Sequence, residues 1–494
     1  MSFSHKQNIL LQINNQQINM KKLFSSCLLF LVAIAGYCDV NVPQWATEDG
    51  VKLSPDFEVE VRTSNSTQWT TVPTLSCDVN LAKRSKASFA EFDTDGMVYV
   101  RIKSLSQNID MTQADIAVRP KSKNITAKVV DKQTVELELQ KAEYLSVEFD
   151  GDRFHNLHVF ANPMLQEHHT PDEPSAIDWR GRNNHDVFVK DARLIYFAPG
   201  VHRPKDLPGG DIRIPSNCTV YLAPGAIVKA RLIVDHAENV RIVGRGIILN
   251  ALRGVEITHS RNVLVDGITF LNPQHYTVFG GDSRNIVVRN IKSFSAQSWS
   301  DGIDLMCCKD VEIEDIFMRN SDDCIALYNH RWWYWGGTRN IKVKRATLWA
   351  DVAHPVNIGT HGDDRSDKGE KLRNVTIEDC DILYARTNAA ISIACGDKNH
   401  LSDILFKDIR IEDIHETALF GLQVIFSEKY NRAPGNSING VTFENIHFSG
   451  NPDLLRPSFV KDYDEAHRIE NVSFQHIYFN GVPTDFSHLQ RKER

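Results

Sequence analysis

The sequence predicts an all-β protein, a right-handed parallel β-helix preceded by a small antiparallel β-sandwich. The main observation is a recurring unit: a polar residue, then Val or Ile, then alternating apolar and polar residues. It occurs at Asn239-Val240, Asn262-Val263, Asn285-Ile286, Asp310-Val311, Asn340-Ile341, Asn374-Val375, Asp403-Ile404, Gly440-Val441 and Asn471-Val472, with anchors 23 to 37 residues apart. A unit of that length holds two or three short strands and no long helix. It cannot bury its apolar face alone, so neighbours must stack into a solenoid. The second observation is a set of period-two runs nearer the start, such as Phe57-Glu58-Val59-Glu60-Val61 and Val135-Glu136-Leu137-Glu138-Leu139. Strands with one wet face read this way.

The segments follow in chain order. Met20-Lys21-Lys22, then the apolar run from Leu23 to Ala35, reads as a secretory signal peptide with cleavage between Ala35 and Asp39. The polar stretch 1–19 ahead of it reads as an upstream mis-start, with Met20 the initiator, and residues 1–38 are set apart from the fold. The run is too short to span a bilayer, so an exported protein, periplasmic or extracellular and without membrane insertion, is expected. Residues 39–163 are read as the sandwich, because runs such as Met97-Val98-Tyr99-Val100 and Leu145-Ser146-Val147-Glu148-Phe149 are separated by turn-forming Asp, Gly, Asn and Lys. Residues 164–185, with His168-His169-Thr170-Pro171, are polar, proline-containing and aperiodic, and read as a linker. Residues 186–494 are the β-helix, with the longer intervals between anchors forming loops beside a groove.

The 494 residues carry 56 Lys and Arg against 63 Asp and Glu, a formal charge of −7. A broadly basic surface for nucleic acid therefore has no compositional support. Beyond residue 38 the cysteines are Cys77, Cys218, Cys307, Cys308, Cys324, Cys380 and Cys395, with no Cys-x-x-Cys pair. They read as buried thiols with at most one disulfide, and no zinc or redox motif is present. Asp363, Asp364 and Asp367 lack the ligand spacing of a calcium loop and read as a solvated acidic loop. No metal or cofactor is expected.

The chemistry-bearing segments are Ser298-Trp299-Ser300-Asp301-Gly302-Ile303-Asp304 and Asn320-Ser321-Asp322-Asp323-Cys324-Ile325. Asp301 and Asp322 are 21 residues apart, about one coil, which places them on adjacent rungs about 4.8 Å apart. Carboxylates that close push one pKa upward, so a protonated acid can sit beside an ionised base, as glycosidic hydrolysis requires. Asp-Gly and Asp-Asp are also ordinary corner turns, which leaves a purely structural reading open. The loop Asn329-His330-Arg331-Trp332-Trp333-Tyr334-Trp335-Gly336-Gly337 offers aromatic planes for sugar faces, or else a hydrophobic plug. Trp299 and Trp349 share that ambiguity.

These motifs resemble the polygalacturonase superfamily, glycoside hydrolase family 28, with the dextranases and isopullulanases of family 49. The family's Asn-Thr-Asp motif is similar to Ser298–Asp301 and its Gly-Asp-Asp motif to Ser321-Asp322-Asp323. Its Gly-His-Gly-x-x-Ile-Gly motif is similar to Ala353-His354-Pro355-Val356-Asn357-Ile358-Gly359. The resemblance implies a pectin-lyase-like β-helix in which Asp322 is the general acid, Asp301 and Asp323 hold and activate water, and His354 orients the acid, with His361 a rival for that role. It also implies inversion, with a carboxylate pair far enough apart to admit a water. Ser300 and Ser321 replace the usual Thr and Gly. The family's Arg-Ile-Lys, which holds a uronate carboxylate, corresponds to Thr387–Ala394 and has neither cation here. A neutral sugar is therefore an equal candidate for the cleaved subsite, with Arg386 or Lys398 as possible compensating cations. The N-terminal sandwich looks like the accessory domain of the dextranase type.

The expectation is a glycoside hydrolase acting on a polysaccharide or oligosaccharide. Its catalytic residues are Asp322, Asp301, Asp323 and His354, and its substrate-binding residues are Trp299, Trp332, Trp333, Tyr334, Trp335 and Arg386. The alternatives are a non-catalytic carbohydrate-binding or adhesion β-helix and a polysaccharide lyase. The lyase would need calcium and a positioned Arg or Lys base, and neither Arg319 nor Lys342 is visibly grouped with acids.

Overall fold

The computed structural model describes residues 39–106, 108–179, 191–203 and 210–492. The signal-peptide and mis-start readings, and the part of the linker from 180 onward, lie outside the described residues.

In the N-terminal unit the alternating runs form two facing sheets, of six and five strands. Val59, Val100 and Leu137 of one meet Phe92, Leu145 and Val159 of the other in a buried core. One pairing departs from the antiparallel expectation. Ser85–Thr94 and Asp152–Pro163 run parallel, with Leu157 opposite Ser88. The long chain between them makes the crossover that a parallel pair needs. Both strands lie against the solenoid, where Phe89 and Phe160 are buried with Phe294, Phe317 and Trp349.

The repeat unit becomes one coil of a parallel β-helix. A ten-stranded parallel sheet runs from Asp211–Arg213 to Phe459–Lys461, and an eighteen-stranded sheet wraps the remaining faces. The first strand of the larger sheet, Ala176–Asp178, lies inside the stretch read as linker and pairs with Leu194–Phe197. All nine Val and Ile anchors stand in register, from Val240 on Val263 through Ile341 on Val375 to Val441 on Val472. The polar residue before each anchor turns the corner: Asn239, Asn262, Asn285, Asp310, Asn340 and Asn374 have φ of 56° to 57°, with Asn285 at 54°. Short amide and carboxylate side chains tolerate this left-handed conformation. Their side chains also bond rung to rung, Asn285 to Asn262 at 3.0 Å and Asn374 to Asn340 at 2.7 Å.

Charged residues are also buried between the two units. Arg319 reaches Asn156 Oδ1 at 2.8 Å, the Arg153 carbonyl at 2.7 Å and Asp351 at 3.4 Å. Arg119 pairs with Glu148 at 2.9 Å and Glu412 at 3.0 Å, and Arg245 with Asp93 at 2.7 Å. At the far end, Val482–Pro483 turns back antiparallel on Arg468–Phe479, and Phe486 closes the core against Phe420, Phe474 and Phe479. All seven described cysteines are buried and unpaired, so no disulfide forms among them. No helix of the described residues is long and apolar enough to cross a membrane.

Candidate active site

The ten-stranded sheet is the floor of the groove. Its strands Ile303–Met306, Ile325–Tyr328 and Val356–Gly359 lie side by side, with Asp304 beside Ala326 and Ala326 beside Asn357. Asp301, Asp322–Asp323 and His354 are each placed just before one of these strands, so three successive coils bring them together. One oxygen from each of Asp301, Asp322 and Asp323 lies within 4.8 Å of the other two.

Gly302 makes this approach possible. A Cβ there would stand 2.2 Å from the Cys324 carbonyl oxygen and 2.9 Å from Asn320 Oδ1. The bare backbone instead docks on the next coil, Gly302 N donating to the Asp323 carbonyl at 2.8 Å and Ile303 N to that of Cys324 at 2.9 Å. Hydroxyl and amide groups pin the two turns. Ser300 and Ser321 Oγ are 3.0 Å apart, Ser321 donates to the Gln297 carbonyl, and Asn320 Nδ2 donates to Ser293 and Ser295 at 3.0 Å each.

The acids differ in environment. Burial, then the neighbouring Asp323, raises the Asp322 carboxyl above its ordinary range. Burial raises Asp301 well above it, with Asp304, Asp322 and Asp323 adding to the effect. Burial would also raise Asp323, but His354 outweighs it. His354 Nδ1 is 2.8 Å from Asp323 Oδ1, its backbone N–H donates to the same oxygen at 3.0 Å, and Asn357 Nδ2 donates to Oδ2 at 2.8 Å. The net effect holds Asp323 below the ordinary range. Burial likewise opposes the charged form of His354, and Asp323 reverses this and raises it. Asp322 is thus the proton holder and Asp323 the anion. The buried His354 Nε2 and Asp301 Oδ1 have no hydrogen-bond partner. His361 packs instead on Tyr328 and Tyr430, and burial lowers it to about 3.

Asp304 was missed in the sequence reading. It is fully buried, faces the groove, and both its oxygens lack a hydrogen-bond partner; Arg331 lies 3.8 Å away. The alternation in Ile303-Asp304-Leu305 was the available signal, since it puts Asp304 on the outer face.

The aromatic loop divides. Trp299 and Trp333 are each 65% exposed, and Trp332 and Trp335 are partly so. Tyr334, expected on the wall, is instead buried. It packs on Phe279 and His259 and anchors the loop, because its ring fills the space above Gly281. Trp349 is fully buried at the contact with the sandwich. Beside the acids a cleft of about 520 Å³ is lined by Arg331, Trp332, Trp335, His361, Tyr430 and Arg432, among others. Arg386 is exposed in the loop before Ala389–Cys395. Lys398 is held by Asp367 at 2.6 Å, and Asp363 pairs with Arg365 at 2.9 Å. On Ala389–Cys395 Ser392 sits beside Asn357, and Ala394 is the next groove-facing position, so this strand presents no cation there.

The spacing departs from the expectation of a wide carboxylate pair. The oxygens lie within 4.8 Å, closer than the about 6.5–9.5 Å of most inverting pairs. A gap of this size still admits one water hydrogen-bonded to both oxygens. The same triad is where a cation would find converging ligands, though two hydrogen bonds and an ion pair already engage Asp323.

Residues 250–481 match the family model described as Glycosyl hydrolases family 28. Among curated proteins, the chain is 23% identical over 202 residues to a polygalacturonase of Chamaecyparis obtusa, covering 40% of this chain and 37% of that one. It is 24% identical over 182 residues to a probable endopolygalacturonase E of Aspergillus niger, covering 37% and 41%. The chain thus spans about two fifths of the length of these relatives. Among solved structures, Dex49A from Penicillium minioluteum shares the fold, with a TM-score of 0.64, 16% identity, and coverage of 90% of this chain and 92% of that one. Residues 250–481, just under half of the chain, are thus similar in sequence to the glycosyl hydrolases of family 28, and the fold as a whole is like that of Dex49A.

Proposed function

We propose that the protein is an exported glycoside hydrolase that cleaves a polysaccharide or oligosaccharide lying in the groove, with inversion at the anomeric carbon. The observation that carries the reading is the contrast within one cluster. Asp322 is raised by burial and by Asp323, while His354 and Asn357 hold Asp323 as an anion. Asp322 gives its proton to the leaving oxygen, Asp323 draws the proton from an attacking water, and Asp301, kept protonated by burial, holds that water in place. His354, charged through Asp323, keeps that carboxylate from competing for the Asp322 proton. The unpartnered Asp301 Oδ1 and His354 Nε2 are ready to bond water or a sugar hydroxyl. The exposed Trp299, Trp332, Trp333 and Trp335 offer planes for sugar C–H faces. With Ser392 and Ala394 in place of cations, the cleaved subsite takes a neutral sugar.

The test is reducing-end release from polygalacturonate, rhamnogalacturonan, dextran and pullulan. Asp322→Asn should lower turnover about 10²–10⁴-fold, the contribution of a positioned acid. Activity should fall as pH rises through the elevated Asp322 value, and again on the acid side as Asp323 gains a proton. NMR of the first-formed anomer reads the stereochemistry, and a retained configuration overturns the water-based step. A wild-type protein that binds one glycan and cuts none overturns the hydrolase reading.

A further inference from the structure

Five cations stand in one row on the outside of the solenoid. Arg261, Arg284, Lys309, Arg339 and Arg373 are direct partners on successive parallel strands. Each occupies the same place in its coil, one residue before the left-handed Asn or Asp corner. The four arginines are exposed and Lys309 is half-buried. Strand spacing sets the charges about 4.8 Å apart, in a row about 19 Å long.

Like charges directly opposite one another on neighbouring strands destabilise a sheet. Acid compensation here is sparse. Arg261 pairs with Glu238 and Lys309 with Asp282 at 3.9 Å, whereas Arg284, Arg339 and Arg373 form no salt bridge among the described residues. Asp310, the remaining acid in the row's path, accepts a hydrogen bond from Asn340 at 2.6 Å. Four of the five cations, with His236 and His259 at one end, border a shallow trough of about 620 Å³. The row is distinct from the groove. Lys309, Arg339 and Arg373 close the same three coils that begin at Asp301, Asp322 and His354, on the opposite side of the floor strands.

We propose that this row is a non-catalytic docking site for a linear acidic polysaccharide. Its charge repeat is close to the advance of one sugar unit in an extended chain, so carboxylates or sulfates borne on successive sugars can meet successive rungs. Single-strand phosphates along a duplex advance about 3.4 Å, which leaves a nucleic acid out of step with the rungs. A polymer held there lies parallel to the groove on the same coils, and tethering raises the effective concentration at the acids of any neutral-sugar segment that it carries. Docking does not depend on the groove being catalytic.

The test measures binding of polygalacturonate, dextran sulfate, neutral dextran and single-stranded DNA to the intact protein carrying Asp322→Asn, which slows any cleavage below the time of the measurement. Adding Arg284→Gln, Arg339→Gln and Arg373→Gln should weaken binding of an acidic polysaccharide at least tenfold at low salt. It should also reduce the slope of log affinity on log salt by about two to three. The matching Arg→Lys triple variant should keep most of the affinity. Polygalacturonate binding alone assigns a carboxylate polymer, and dextran sulfate binding alone a sulfated one. Unchanged affinity in the Gln variant, equal binding of neutral dextran, or tighter binding of DNA than of either acidic polysaccharide overturns the proposal. These outcomes are separate from those of the cleavage assay, because no arm requires turnover.

Discussion

At the scale of single residues, the site depends on how closely two coils approach. Gly302→Ala places a methyl group 2.2 Å from the Cys324 carbonyl, so the turn carrying Asp301 must move. A shift of about 1 Å costs about 10²-fold in rate, while the stacked coils around it hold. The expected result is a large fall in kcat/KM with a small change in melting temperature. Asp304 predicts the opposite balance for stability. Burial raises its folded value well above 3.8, so the folded chain binds its proton more tightly and stability erodes as pH climbs from about 4 toward that value. Asp304→Asn, which has no proton to release, should therefore stabilise the protein at neutral pH, by about 1.4 kcal/mol for each pH unit between about 4 and the raised value. The gain should vanish below the unfolded value, and denaturant titrations at pH 7 and pH 3.5 check both halves.

At the scale of elements, the stacked anchors carry the solenoid. Ile341 is buried between Val311 and Val375, and Ile341→Ala should cost about 2–5 kcal/mol, read as a lower urea midpoint. The repeat was legible in the sequence because each coil repeats one apolar anchor and one left-handed corner. The three turns that carry Asp301, Asp322–Asp323 and His354 were legible because each sits just ahead of such a coil. Asp304 and Tyr334 were less so. An acid in an apolar strand reads as a turn remnant until its neighbours on both sides are known, and an aromatic in a loop reads alike whether it faces solvent or fills the space above a glycine. The parallel pair in the sandwich escaped notice because alternation reports which face is wet and says nothing about strand direction.

At the scale of the whole molecule, the two units share buried charge as well as apolar contact. Arg319 and Asp351 are both fully buried, and Arg319 also reaches Asn156 and the Arg153 carbonyl. Arg319→Ala leaves Asp351 uncompensated, and a cost of about 3–5 kcal/mol is expected. Both units should be affected together, as one calorimetric transition displaced to lower temperature. Two separate transitions would show that the seam does not couple them. None of this was legible in the sequence, since period-two patterns mark a face as buried without naming what buries it.

The closure of the last coil bears on self-association. A solenoid that ended on a bare strand would offer the twelve residues of Arg468–Phe479 as a template for another chain. Here the turned-back Val482–Pro483 occupies part of that edge and Phe486 fills the opening to the core. Removing residues 482–494 should make the protein add end to end, with light scattering that grows with concentration more steeply than for the full chain. The short cap thereby covers the edge on which another chain would otherwise stack.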